Sequence, residues 1–508
     1  MPVTAAQVFG PVTVDPGFTT TGEKTLLTMN TTLPAGGKNV IMAVMMLPAA
    51  LETVRSYRLG IKKGGTVLYS TVADYGGGGA ANTTPFLVMA IDESPAGNDS
   101  YTFFINIITA SSATAAVHVQ GIVIKADDAV VASNTSTVTV NNGATSTVLS
   151  LSTTFSSGSK VVVVAGLAIN TATSRATRYT ISAGNVRLKR NANVVSSNEF
   201  GVKVAYPFGQ GANNFVSLIW FETLTASNPT FSIEVANDSG TDVAVFGQIL
   251  AFTVSDGAFL DTGSVSLTSG SQVTVGNLST SLSGGVVAIA IAGAAYSSTV
   301  RTGFNANDVV HQKDNSSTGQ IANLVDWYFS DVAFAGYLPM FRFDTSVTNP
   351  SYQVKMTARV TGLSGEAKIV AFSTVLVEEK TVTDSISLSD AASVSSSFVV
   401  SDSFSLTEAY SSEGHIPVSD YLTLTDVIES PKTVLVTDSI SLTDAIGPNE
   451  LKVSDSITLI EAVGILANIP AADSLSIADF AERAEPAREV ADSIRLTDSV
   501  FIERNVQR

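Results

Sequence analysis

The residues best suited to chemistry in this sequence are paired aspartates. Asp384 and Asp390 stand six residues apart in VTDSISLSDA, and Asp438 and Asp444 do the same in VTDSISLTDA. Several carboxylate and carbonyl oxygens held together are what Ca²⁺ requires. The plainer role for such acids is to cap turns, because Asp bonds backbone N–H groups two residues on. No Gly-rich calcium nonapeptide and no EF-hand loop occurs, so turn capping is favoured and Ca²⁺ is the one cofactor the pattern permits.

Three arginines recur in matching contexts: Arg55 in Thr-Val-Arg, Arg175 in Thr-Ser-Arg and Arg301 in Thr-Val-Arg. They could meet acidic stretches of another subunit. A repeated arginine is more commonly a solvated strand residue or half of an intradomain ion pair. Arg175, Arg178, Arg187, Lys189 and Arg190 make one region locally basic, as an anionic glycan or phosphate would require. No aromatics interleave them and the chain is acidic overall, so nucleic-acid binding is not expected. Trp327 in NLVDWYFSD is the better of two tryptophans for stacking on a sugar, whereas Trp220 in NFVSLIWFET reads as packing. His118, His311 and His415 are scattered. No nucleophile elbow, zinc-protease helix or P-loop appears, and nothing here reads as an enzyme.

The composition says what must position these residues. Of 508 residues, 45% are hydrophobic and 14% charged, enough apolar material for three or four cores. Short Val/Ile/Thr-rich runs are broken by Gly, Asn, Ser and Pro, the mark of an all-β chain. There are no cysteines, which excludes disulfides and zinc-thiolate sites. The first residues, MPVTAAQVFG, have neither the basic nor the apolar region of a secretory signal, and the longest apolar runs, 40–51 and 286–296, are too short to span a bilayer. The net charge is −17. Residues 381–508 hold 21 acidic and 7 basic side chains, a net of −14, leaving −3 for residues 1–380.

Repeats occur on two scales. In the longer, TLLTMNTTLPAGGKNVIMAV (25–44), TVLSLSTTFSSGSKVVVVAG (147–166) and TVGNLSTSLSGGVVAIAIAG (274–293) each precede one of the three arginines. Each is followed by a turn and an alternating strand, NDSYTFFINI, NPTFSIEV or NPSYQVKM, and then by a final strong strand. This predicts three tandem antiparallel β-sandwiches at 1–128, 129–257 and 258–379. About eight candidate strands apiece fit a jelly roll, with an immunoglobulin-like sandwich as the rival.

The shorter repeat fills residues 380–508, an acidic β-repeat arm of seven units. VTDSISLSDA (382–391), VSDSFSLTEA, VSDYLTLTDV, VTDSISLTDA, VSDSITLIEA, AADSLSIADF and VADSIRLTDS follow one another at 17 to 19 residues. Read as one strand, Val436, Asp438, Ile440, Leu442 and Asp444 share a face and the hydroxyls share the other. One such strand cannot bury its apolar pair alone. Ile386, Leu388, Phe404, Leu406, Ile440, Leu442, Ile457 and Leu459 are therefore the candidate inter-subunit residues. Three arrangements could supply partners: a trimeric fibre, a β-solenoid with one unit per rung, or loose strands docked along neighbours. The solenoid looks short of apolar residues in its connectors.

The alternating units of residues 382–499 resemble the triple β-spiral shafts of adenovirus and reovirus attachment proteins. Stacked sandwiches followed by a fibrous repeat resemble viral spikes, turrets and tail fibres. This resemblance implies a homo-oligomeric structural protein of the virion surface, a homotrimer first and a pentamer second. Its partners would be other virion proteins and a glycan or protein of the host surface. The alternatives are a cellular adhesin or surface-filament subunit, located extracellularly, and a glycan-binding module.

Overall fold

The computed structural model describes residues 3–46, 56–71, 86–110, 116–171, 179–204, 214–296, 302–304, 308–314, 327–329, 335–359 and 361–374. Beyond these it describes the backbone of strands within residues 380–497. Every regular element among them is a strand, as the all-β composition requires. The chain divides into two compact units, Met1–Val375 and Leu376–Arg508.

In the first unit the strand pairing falls into three sets. The first holds β1 (Ala5–Val14), β2 (Gly22–Asn30), β3 (Asn39–Met46), β4 (Ser56–Lys63), β5 (Thr66–Ser70), β6 (Phe86–Asp92), β7 (Ser100–Thr109) and β8 (Val117–Lys125). These make two antiparallel sheets in the orders β1-β8-β3-β6 and β2-β7-β4-β5. The first strand pairs with the last and the second with the seventh, which is the connectivity of a jelly roll. An immunoglobulin-like sandwich pairs its first strand with its second, so that rival is excluded here.

The second set holds β9 (Val130–Ser133), β10 (Val138–Val140), β11 (Thr145–Ser152), β12 (Lys160–Thr171), β13 (Tyr179–Ile181), β14 (Val186–Arg190), β15 (Asn193–Ser197), β16 (Val202–Val204), β17 (Asn214–Thr223), β18 (Thr230–Ala236) and β19 (Val243–Val254). The third holds β20 (Gly257–Asp261), β21 (Val265–Ser266), β22 (Gln272–Ser279), β23 (Ser283–Tyr296), β24 (Thr302–Phe304), β25 (Val309–Lys313), β26 (Trp327–Phe329), β27 (Ala335–Thr348), β28 (Ser351–Thr357) and β29 (Leu363–Thr374). Their main sheets, β10-β19-β12-β17 with β11-β18-β14-β15 and β20-β29-β23-β27 with β22-β28-β25, follow the first set's order. The opening strand is split in two in both.

Local devices recur with the strands. A β-bulge interrupts β2 at Thr25/Leu27, β11 at Thr147/Leu149 and β22 at Thr274/Gly276. Before β7, β18 and β28 an asparagine takes a left-handed backbone, Asn98, Asn228 and Asn349 at φ 52°, 54° and 49°. Asparagine tolerates that region better than other residues with a Cβ. Its N–H reaches Leu33, Phe155 or Leu282 O respectively. Beside it Thr31, Thr153 and Thr280 donate both N–H and hydroxyl to Asp99, Pro229 and Pro350 O. The three sequence landmarks are thus one folding device written three times.

The first and third sandwiches bury one face of the β3-type strand against their own partner sheet: Ile41, Ala43 and Met45 in the first repeat, and Val286, Ala288, Ala290 and Ala292 in the third. The opposite faces are apolar as well. Val40, Met42 and Val44 of β3, Val162 and Val164 of β12, and Val287, Ile289 and Ile291 of β23 all enter one continuous cluster. Burying a side chain of this size stabilises by roughly 2 kcal/mol. Strands buried on both faces read as unbroken apolar runs, which is what VIMAVMM and VVAIAIA are.

The second unit consists of parallel strands. Two seven-stranded sheets run through it, and a two-stranded pair lies off them. In one sheet Ser403–Thr407 pairs with Tyr421–Thr425, then Ser439–Thr443, Ser456–Ile460, Ser474–Ala478 and Ser493–Thr497. Each residue meets its counterpart one repeat on: Ser403 pairs Tyr421, Ser439 pairs Ser456 and Ser474 pairs Ser493. This is a β-solenoid, with the repeat length serving as the register. Two sequence-based expectations need correction. The ten-residue unit is two strands and not one: Val436 ends Thr433–Val436 in one sheet, while Ile440 and Leu442 belong to Ser439–Thr443 in the other. And the connectors do supply the second wall, as Phe398–Val400, His415–Val418, Thr433–Val436 and Glu450–Val453.

Candidate functional site at the three junctions

The sheets that hold β3, β12 and β23 end on one side at β6, β17 and β27. An end strand leaves a row of backbone N–H and C=O groups without partners, which must be covered. The three repeats cover one another. Gln248 on β19 of the second repeat accepts from Met89 N–H at 2.9 Å and donates to Met89 C=O at 2.6 Å, on β6 of the first. Gln120 on β8 of the first repeat accepts from Phe341 N–H at 3.0 Å and donates to Phe341 C=O at 2.9 Å, on β27 of the third. A primary amide carries one acceptor and a donor pair, so a single glutamine replaces a missing strand neighbour. Both glutamines are buried.

The register makes these positions equivalent. Gln120 pairs Val44, Gln248 pairs Gly166 and Lys368 pairs Ile291, each two residues along from the position opposite the covered edge. The third junction, between β17 and the third repeat, departs from the pattern. Lys368 there pairs with Asp261. Aromatic contacts take over: Trp220 meets Phe259 edge-on at 4.9 Å, and Phe252 meets Phe372 at 5.5 Å. Tyr337 O–H donates to Phe200 C=O at 3.2 Å and accepts Phe200 N–H at 3.0 Å. The edge of each repeat lies against the next, and the third closes onto the first.

The chemistry available at these junctions is packing and hydrogen bonding. Among the described residues no group of three or more His, Asp or Glu could hold a metal. No helix among them is long and apolar enough to cross a membrane. A crevice between the first and second repeats, lined by Tyr69, Leu87, Gly166, Phe215 and Phe246, has room for about one water molecule. Lys63 bridges Asp92 at 2.7 Å and Asp99 at 2.9 Å, tying the ends of β4, β6 and β7.

The residues singled out from sequence fare unevenly. Arg55, Arg175, Arg301, Asp384, Asp390, Asp438 and Asp444 lie outside the described residues. Trp327 opens β26 opposite Phe304. At its described positions every side chain of the basic cluster has an acidic partner. Arg187 and Lys189 both pair with Glu234, and Arg190 pairs with Glu222. Ile386, Phe404, Ile440 and Ile457 occupy one ladder position of the solenoid, and Leu388, Leu406, Leu442 and Leu459 the next on the same face. The strands carrying them pair within this chain. Gln120, Gln248 and Glu366 were not singled out. Their signal is a buried polar residue in the largely apolar strand that ends each long repeat.

No family model matches the chain, and no curated protein does. Among solved structures it is similar to the Sulfolobus turreted icosahedral virus, with 12% identity over 69% of this chain and 82% of that one and a TM-score of 0.16. It is also similar to the major capsid protein P2 of bacteriophage PM2, with 9% identity over 48% and 97% and a TM-score of 0.21. PNGF-II is a third, with 7% identity over 67% and 100% and a TM-score of 0.25. Scores this low leave the fold to be read from the strand order itself.

Proposed function

We propose that this chain is a non-enzymatic structural protein of a virion, carried on the particle surface as a spike, turret or fibre and presenting an attachment surface to the host. The observation that carries this reading is the ring of strand-edge covers. Buried glutamines of the first and second repeats cover a strand edge of the neighbouring repeat. The jelly roll recurs in viral shells and lectins, and a solenoid is an extended scaffold for surfaces. The step from fold to place is by analogy of architecture. The three repeats give one chain the arrangement that three separate subunits would otherwise supply, so a homotrimer is not needed to build it. Self-association and contact with other virion proteins fall to the remaining surfaces.

The test is location. Gold-labelled antibody against the full chain should decorate the outside of purified particles. Labelling confined to the cell envelope would sink the virion reading and favour a surface-filament subunit.

A further inference from the structure

Of the three equivalent junctions, the one between the second and third repeats buries a carboxyl group. Glu366 on β29 is 0% exposed, and neither of its oxygens has a hydrogen-bond partner. The matching strand positions hold His118 and Phe246, opposite Met46 and Ala168 as Glu366 is opposite Gly293. Gly293 makes the room: a Cβ there would stand 2.5 Å from Glu366 Cγ. The Tyr337 hydroxyl is adjacent, but it is committed to Phe200 across the junction.

We propose that this junction is a proton-operated latch, closed around protonated Glu366 and loosened when Glu366 gives up its proton. This goes beyond the structural role proposed above. An ionised carboxylate in a dry interface, whose one adjacent donor, the Tyr337 hydroxyl, is already given to Phe200 C=O, is strongly disfavoured. Opening the junction hydrates it. The acidic groups that face it deepen the effect. Among the described residues Lys368 on the same strand is the one cation facing it; it opposes the effect, but it is already paired with Asp261 of β20, whose negative charge adds to it. Glu199, next to Phe200 on the second repeat, adds another negative charge. Tyr337 of β27 is neutral, and β23 offers only Gly293.

Burial pushes the Glu366 carboxyl up to about 8, from an ordinary 4.5; Lys368 opposes the rise, and Asp261 and Glu199 add to it. A raised carboxyl pKa means that the closed form holds a proton the open form releases. Closure is therefore most favoured below pH 4.5. It weakens by about tenfold per pH unit as pH rises to about 8, and does not change further above that.

The experiment is amide exchange of the full chain between pH 5 and pH 9, expressed as protection factors for peptides covering β17 and β27. Protection should fall about tenfold per pH unit up to about pH 8 and then level off. Glu366→Gln, which copies the protonated form, should remove the slope. A wild-type junction without a slope, or a slope that survives Glu366→Gln, overturns the proposal. If Glu366→Gln does not fold, Glu199→Gln at an exposed position serves instead. It should move the levelling-off to lower pH, and an unmoved profile overturns the latch.

Discussion

The side-chain amide of Gln248 replaces a whole strand neighbour for Met89, 159 residues earlier in the chain. Removing the amide strands a buried N–H and a buried C=O together. Such groups cost about 1–3 kcal/mol each when left unpaired. Gln248→Leu should therefore destabilise the chain by about 2–4 kcal/mol. Urea denaturation would show a lower midpoint, and amide exchange would show the loss beginning at β6. A midpoint equal to wild type would mean that the edge is covered by other means.

His311 makes the first unit acid-sensitive. It is fully buried beside Tyr352, and among the described residues neither ring nitrogen has a hydrogen-bond partner. Burial, helped by Arg342, depresses its pKa to about 3 from 6.5. The neutral ring is the folded form, so its contribution is complete above pH 6.5 and is lost as pH falls toward 3. By pH 4 the loss is on the order of 3 kcal/mol. His311→Phe should flatten the pH dependence of the melting temperature between pH 7 and pH 4, whatever it does to stability at neutral pH.

The solenoid predicts a quantum of length. Val436 pairs Val453, so removing residues 437–453 takes out one rung and joins Val436 to Ser454, restoring the local sequence Val-Ser-Asp-Ser. Far-ultraviolet circular dichroism of the full chain should keep its β signal, reduced only by the share of the 17 residues removed out of 508. A deletion of half that length puts each strand in the wrong sheet, and the arm should become protease-sensitive. Equal protease resistance for both deletions would count against a solenoid.

Asn228 tests the repeated turn. Its left-handed backbone, at φ 54°, suits glycine better than a residue with a Cβ. Asn228→Ala should cost about 1 kcal/mol, and Asn228→Gly close to nothing. Thermal melts of the two variants separate backbone strain from loss of the side chain. If both are equally destabilised, the amide itself is the important group.

The long repeats were legible because each device leaves the same residue types at the same places along the strand sequence. A bulge, a left-handed asparagine and a threonine tie lie within or beside the strands that display them. The junctions were not legible, because Gln120 finds Phe341 across 221 residues and no local pattern announces a partner so far off. VHVQGIVIK does carry a polar residue in an otherwise apolar run of the kind that is buried on both faces, and that misfit was the available clue. The arm was misread for a different reason. Alternation runs unbroken through VTDSISLTD, so a strand pattern gives no sign that Val436 and Ile440 belong to different sheets. Only glycine or proline would have marked the break, and neither is there.

A ring made from three identical chains must use one sequence at all three of its seams. Any change made to strengthen or loosen one is imposed on the others. Here the seams are encoded separately. Two keep glutamine, while the third carries Lys368, Asp261 and Glu366. Writing the ring into a single polypeptide frees each seam to acquire its own strength and its own response to the surroundings, while the other two hold the ring shut.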